Sequence, residues 1–175
     1  MTEELMRRIS EYVGKPIVSA DTGEKVGTVA DVLVDADAGR IVGVIVGGGL
    51  LTSEHVLPYA DVQVMGGDAV IAKSRERVVG ARGWREIGSD AARAKTYKNK
   101  RVITTGGREL GEVRDVYVHQ QTGAVEAYEV VGPAFTSLIE RWTILPQSGD
   151  VTVGPDALIV TEDAAREFEH AVPAK

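Results

Sequence analysis

Three histidines, His55, His119 and His170, come first, because imidazole serves both as metal ligand and as general base. They stand in three unrelated parts of the chain with no His-x-x-His spacing, whereas a metal site commonly needs three or four converging ligands. They read as surface or strand-edge residues. Ser53, Glu54 and His55 bring hydroxyl, carboxylate and imidazole together in sequence, but neighbours on a strand point to opposite faces, which defeats a nucleophile–base contact. Asp35 and Asp37 fall in a turn, where Asp favours local backbone bonding. A loose calcium site is the rival reading there, without the full ligand loop. The glycines Gly47 to Gly49 have neither the lysine and hydroxyl nor the strand-to-helix context of a phosphate loop. With no Cys, thiol nucleophiles, zinc–thiolate sites and disulfides are excluded. The expectation is a protein that is not an enzyme, with no catalytic, metal or cofactor-binding residues.

Asp31 and Asp115 are the remaining paired carboxylates, and they lead to the elements around them. The stretch from Gly23 to Val46, GEKVGTVADVLVDADAGRIVGVIV, returns from Gly107 to Val130 as GRELGEVRDVYVHQQTGAVEAYEV, at an offset of 84 residues. A repeat of that length is a whole small domain, longer than a usual solenoid period. Each copy reads as strand, turn, strand, with Gly39 and Gly123 closing the turns where a left-handed backbone is needed. Val32 and Val34 alternate, but Val29 is out of phase with them, as Val113 is with Val116 and Val118. Such a phase shift predicts a β-bulge near Asp31 and Asp115, and the acids are then acceptors for freed backbone N–H groups rather than a shared site.

The rest of each copy follows. Leu5 to Val13 is either a short helix capped by Ser10 or a strand ending in a helical turn. Tyr12, Lys15 and Val18 return as Tyr97, Lys100 and Ile103. VLP at 56–58 returns as ILP at 144–146, and two short hairpins complete each unit. Ser89 and Asp90 are expected to start a short helix through Arg93, Trp84 to dock on a barrel, and Thr161 to cap a C-terminal helix reaching about Ala171. The predicted organisation is mainly β: a first barrel over 1–73, a basic, partly helical linker over 74–94, a second barrel over 95–160, and a C-terminal helix and tail over 161–175.

Net charge is −6, but residues 73–101 hold ten Lys or Arg against three acids, a local +7 that leaves −13 for the remainder. Arg75, Arg77, Arg82, Arg85, Arg93 and Arg101 are candidates for contact with an anionic membrane or RNA, although a solvated connector drawn to its own acidic domains is the simpler account. The segments after Val46 and Val130 share no glycine run but are both apolar. Leu50 and Leu51 in the first, and Phe135, Leu138, Ile139 and Trp142 in the second, are candidate partner or dimer contacts. No apolar run approaches the roughly 20 residues of a membrane-spanning helix, and MTEELMRRIS has no signal-peptide hydrophobic region, so a soluble cytoplasmic protein is expected.

The runs GKPIVSADTGEKVGTVADVLVDADAGRIVGVIV and VLPYADVQVMGGDAVIA resemble the PRC-barrel family. NKRVITTGGRELGEVRDVYVHQQTGAVEAYEV with ILPQSGDVTVGPDALIV is similar to a second, more divergent member. The resemblance implies a small, strongly bent β-barrel twice over. It also suggests roles by analogy, since family members form the cytoplasmic domain of the photosynthetic reaction-centre H subunit and the C-terminal half of a ribosome-maturation factor. No shared family active site maps onto these residues. The expected function is a noncatalytic protein-binding or scaffold module that self-associates, through the apolar loops; peripheral association with membrane or RNA through the basic linker is the alternative.

Overall fold

The computed structural model describes residues 5–48, 54–80, 91–132 and 142–170. Two sheets of the same topology carry the fold. The first is built from β2 (Pro16–Ser19), β3 (Lys25–Asp35), β4 (Arg40–Gly47), β5 (His55–Pro58), β6 (Val62–Met65) and β7 (Val70–Ala72), in spatial order β5-β4-β3-β2-β7-β6. The second repeats it with β9 (Arg101–Thr104), β10 (Glu109–His119), β11 (Val125–Val131), β12 (Trp142–Pro146), β13 (Val151–Val153) and β14 (Ala157–Val160), in order β12-β11-β10-β9-β14-β13. In each, first and last hairpins join through one parallel pair, β2 with β7 and β9 with β14. The class is mainly β, two bent half-barrel sheets with one helix near the C-terminus, as the residue pattern predicts.

Curvature comes from the long strands. In β3, Val29 pairs with Val46 and Asp31 with Ile45, so exposed Ala30 is the extra residue of a bulge. That insertion puts Val29 and Val32 on the same side, which explains the phase shift in the sequence. Asp31, 4% exposed, accepts a hydrogen bond from the Val32 N–H at 2.8 Å, and Asp115 accepts the equivalent bond from Val116 at 2.9 Å. Where the strands cross, only glycine fits: a Cβ on Gly27 would lie 2.7 Å from Gly47 O, and one on Gly111 would overlap Val131 O.

Two expectations are corrected. Ala91–Arg93 is not helical but a strand, β8, which pairs antiparallel with β3 from Leu33 to Asp35. Beyond the bulge, the β3 edge is no longer covered by β2, and its free backbone groups are met by this segment instead. Leu5–Val13 takes the second of its two readings, β1 (Met6–Arg8) followed by a 3₁₀ turn at Ile9–Glu11. The cap there is Glu11, whose carboxylate accepts from the Arg8 N–H at 3.0 Å, rather than Ser10. Thr161 does cap α1 (Glu162–His170), its hydroxyl accepting from the Ala164 N–H at 3.3 Å. Trp84 lies outside the described residues.

The chain divides into two compact units, one comprising residues 1–95 with 118–125, the other 96–117 with 126–175. The turn joining β10 to β11 thus belongs to the first unit. There the Ile41 N–H donates to Gly123 O at 2.9 Å and the Val125 N–H to Gly39 O at 2.8 Å. Gly39 and Gly123, with φ of +64° and +73°, are equivalent in the repeat, as are Ile41 and Val125, so the two turns exchange the same bond reciprocally. The Gln120 N–H also donates to Leu5 O.

Candidate functional site

The turn carboxylates and the turn histidine have structural partners. Asp35 accepts hydrogen bonds from the N–H groups of Asp37 and Ala38, holding the turn before Gly39. His119 stands at the equivalent place, and its Nδ1 accepts from Gln121 and Thr122, so imidazole replaces carboxylate in one role. Among the described residues no group of three or more His, Cys, Asp or Glu is arranged for a metal ion. Ser53 lies outside those residues, and the carboxylate of Glu54 is engaged by the Arg93 guanidinium through two hydrogen bonds. That contact is the main reason Glu54 is held below the usual carboxylate range.

The basic candidates are also occupied. Arg75 lies 3.8 Å from Glu24, Arg77 3.9 Å from Asp61, and Arg101 2.7 Å from Glu109; with Arg93, each of the four described arginines faces a carboxylate of its own chain. The Arg101 hydrogen bond likewise lowers the Glu109 pKa. Such exposed pairs contribute little stability, but they compete with outside anions. Arg82 and Arg85 lie outside the described residues, as do Leu50, Leu51, Phe135, Leu138 and Ile139. Trp142 opens β12, its backbone paired with Val131.

One feature not legible in the spacing lies in the first unit. A cleft of about 420 Å³ is lined by Tyr59, Val62, Gln63, Val64, Met65, Gln120 and Gln121. Tyr59 also lines a recess of about 380 Å³, bordered by Arg40, Val42 and Pro58. The Arg40 guanidinium sits 5.5 Å over the Tyr59 ring, and the Tyr59 hydroxyl donates a long bond, 3.4 Å, to Gln121 O. A Cβ on Gly123 would come within 2.7 Å of that ring, so glycine is needed here for space as well as for backbone angle.

Tyr12, in the same unit, is 1% exposed. Among the described residues neither the Tyr12 hydroxyl nor the Arg7 Nε, both buried, has a hydrogen-bond partner. Burial pushes the Tyr12 phenol up to about 12, Arg7 pulls it down, and Tyr59 and Glu11 add to the rise. The Arg7 guanidinium packs over the turn after β6, where a Cβ on Gly67 would lie 2.9 Å from both terminal nitrogens.

The second copy fills the same places differently. Ala92 stands where Arg7 does, and Gln147 where Tyr59 does. Tyr97 stacks on Tyr128 at 6.3 Å, Lys100 lies 4.7 Å over Tyr97, and the Tyr128 hydroxyl donates to Gln147 Oε1 at 2.7 Å. The Lys100 ammonium donates to Gly154 O at 2.9 Å, and burial lowers its pKa against the pull of Asp156. Comparing Arg7 with Ala92 inside the repeat was the signal that could have exposed the difference.

No helix among the described residues is long and apolar enough to cross a membrane. Comparison with curated proteins gives no match. A family model for the PRC-barrel domain matches twice, over residues 4–79 and 89–167, and such domains are in general noncatalytic modules. Two matches covering most of the length, on two sheets of one topology, show that the chain belongs to the PRC-barrel family as a tandem protein.

Proposed function

We propose that this tandem PRC-barrel protein is a noncatalytic protein-binding module of the cytoplasm, whose contacts are made by the apolar segments joining β4 to β5 and β11 to β12, and that a second copy of itself is among its partners. One observation carries this reading. Val46 pairs with His55 and Val131 with Trp142, so residues 48–54 and 132–141 connect the same two strands in each copy, while the segments themselves differ in length and sequence. A frame kept constant beneath divergent apolar connections is how a scaffold presents separate contacts.

The test replaces Leu50 and Leu51, and separately Phe135 and Leu138, by serine. Sedimentation velocity should then show loss of self-association, and crosslinking in cells loss of captured partner, while circular dichroism keeps the β signal. A parent protein that is strictly monomeric and captures nothing would sink the proposal. Attachment to an anionic membrane or RNA through Arg75 to Arg101 draws less support, because the four described arginines already face carboxylates. Retention on liposomes or RNA that weakens as salt rises would favour it.

A further inference from the structure

We propose that the outer faces of the two sheets are complementary docking surfaces, the first-unit face of one copy of this chain seating on the second-unit face of another. On the first sheet Val64 of β6 pairs with Ile71 of β7, Ile71 with Val18 of β2, and Val18 with Lys25 of β3, which makes a row across the strands. Cross-strand partners share a face, and the flanking residues Ile17, Val70 and Ala72 are buried, so Val18 and Ile71 point outward. On the second sheet the matching row is Thr152, Ile159, Ile103 and Glu109, on β13, β14, β9 and β10.

Both rows are apolar along most of their length and open to solvent. Val64 is 47% exposed and Ile159 37%, while Val18, Ile71 and Ile103 are half-buried. A single exposed apolar residue is ordinary. Here such residues adjoin one another in register, and they recur on the corresponding strands of the second copy, Thr152 adding a methyl. The result is a continuous strip in each unit, and covering it removes apolar surface from water.

Charge at the end of each row identifies the cover. Lys25 is exposed and has no carboxylate partner among the described residues. At the equivalent position the second row ends in Glu109, and Glu112 stands in register with the neighbouring Arg101. Arg101 Nε donates to Glu109 Oε1 only, at 2.7 Å. Two carboxylates about one guanidinium leave one negative charge, where the first row ends in one positive charge. With the two kinds of face laid together and their rows parallel, Lys25 meets Glu109 and the apolar residues meet each other. Two faces of the same kind offer no opposite charge. Each copy carries one face of each kind, so the contact is heterologous. These faces are separate from the loop contacts proposed above, and neither depends on the other.

The test mixes the full chain with its ¹⁵N-labelled counterpart and adds a water-soluble carbodiimide, which joins an amine to a carboxylate only where the two touch. Mass spectrometry of the linked peptides should find Lys25 joined to Glu109 or Glu112 with mixed isotopes, the mark of a bridge between two copies, in a yield that falls as salt rises. Reversing one charge, Lys25→Glu or Glu109→Lys, should weaken association about tenfold in sedimentation velocity, and the two reversals together should restore it. Val64→Ser with Ile159→Ser should weaken it as well, with no charge altered. A Lys25 linkage confined to one isotope, a double reversal that does not recover, or serine replacements without effect would overturn the proposal. So would a parent that associates without this linkage, which leaves the loop contacts standing; a strictly monomeric parent removes both. Should Glu109→Lys fail to fold, the isotope-mixed linkage in the parent and the serine replacements decide the matter.

Discussion

Gly123 shows how one position can be constrained twice. Its φ of +73° is costly for any side chain, and the Tyr59 ring occupies the place a Cβ would take. Gly123→Ala is expected to lower stability by about 2 kcal/mol, read from urea denaturation, whereas Gly39→Ala, with open space around the added carbon, should cost only the backbone part. Tyr12 makes a pH prediction. Burial raises its pKa from 10.0 to about 12, so the folded state holds the proton more tightly than the unfolded chain does. Its contribution is complete below pH 10 and is lost as pH rises through 12. Tyr128 is raised by burial in the same direction. Alkaline denaturation of Tyr12→Phe should therefore be shallower than that of the parent across this window, and an unchanged profile would refute the assignment.

Among the elements, the two long strands carry one design with two interiors. The first packs Leu33, Ile45 and Val56 together beneath Val42, Val79 and Ala91. At the positions of Leu33 and Ile45 the second has Tyr117 and Glu129, and the Tyr117 hydroxyl donates to Glu129 at 3.1 Å with Arg114 3.5 Å from the same carboxylate. Glu129 is 4% exposed while the Arg114 side chain is half exposed, so Glu129→Ala should cost about 1–3 kcal/mol, chiefly by removing the acceptor of the Tyr117 hydrogen bond, while converting Arg114, Tyr117 and Glu129 together to Ala, Leu and Ile should recover most of that loss. Thermal melts of the two variants check this. The strands, the first bulge and the glycine turns were legible because Val29, Asp31 and Gly39 state them locally, and the strands and turns are stated again 84 residues later. Ala91–Arg93 was not, because three residues hold no period and their partner, Leu33 to Asp35, is distant in sequence. The cleft was hidden for the same reason: Tyr59, Met65 and Gln121 meet only through the fold.

For the whole molecule, the sequence repeat and the compact units do not share boundaries. Residues 118–125 come from the second copy yet are built into the first unit, and β8 joins β3 there. The reciprocal bonds between the Gly39 and Gly123 turns explain why. A polypeptide ending near residue 88 keeps Ile41 N–H and Gly39 O but has no Gly123 or Val125 to meet them. It is expected to pair as a symmetric dimer, each turn serving the other chain, and gel filtration over a concentration series would reveal it; a monomer at every concentration would show that the exchanged bonds do not matter.

Contacts in which like meets like are the signature of identical subunits, and here both members lie on one polypeptide. Tethering replaces a concentration-dependent encounter, with an effective concentration reaching the millimolar range for a short connection. Joined on one polypeptide, the two halves need not be identical, and they differ in carrying Arg7 in the first and Glu129 in the second.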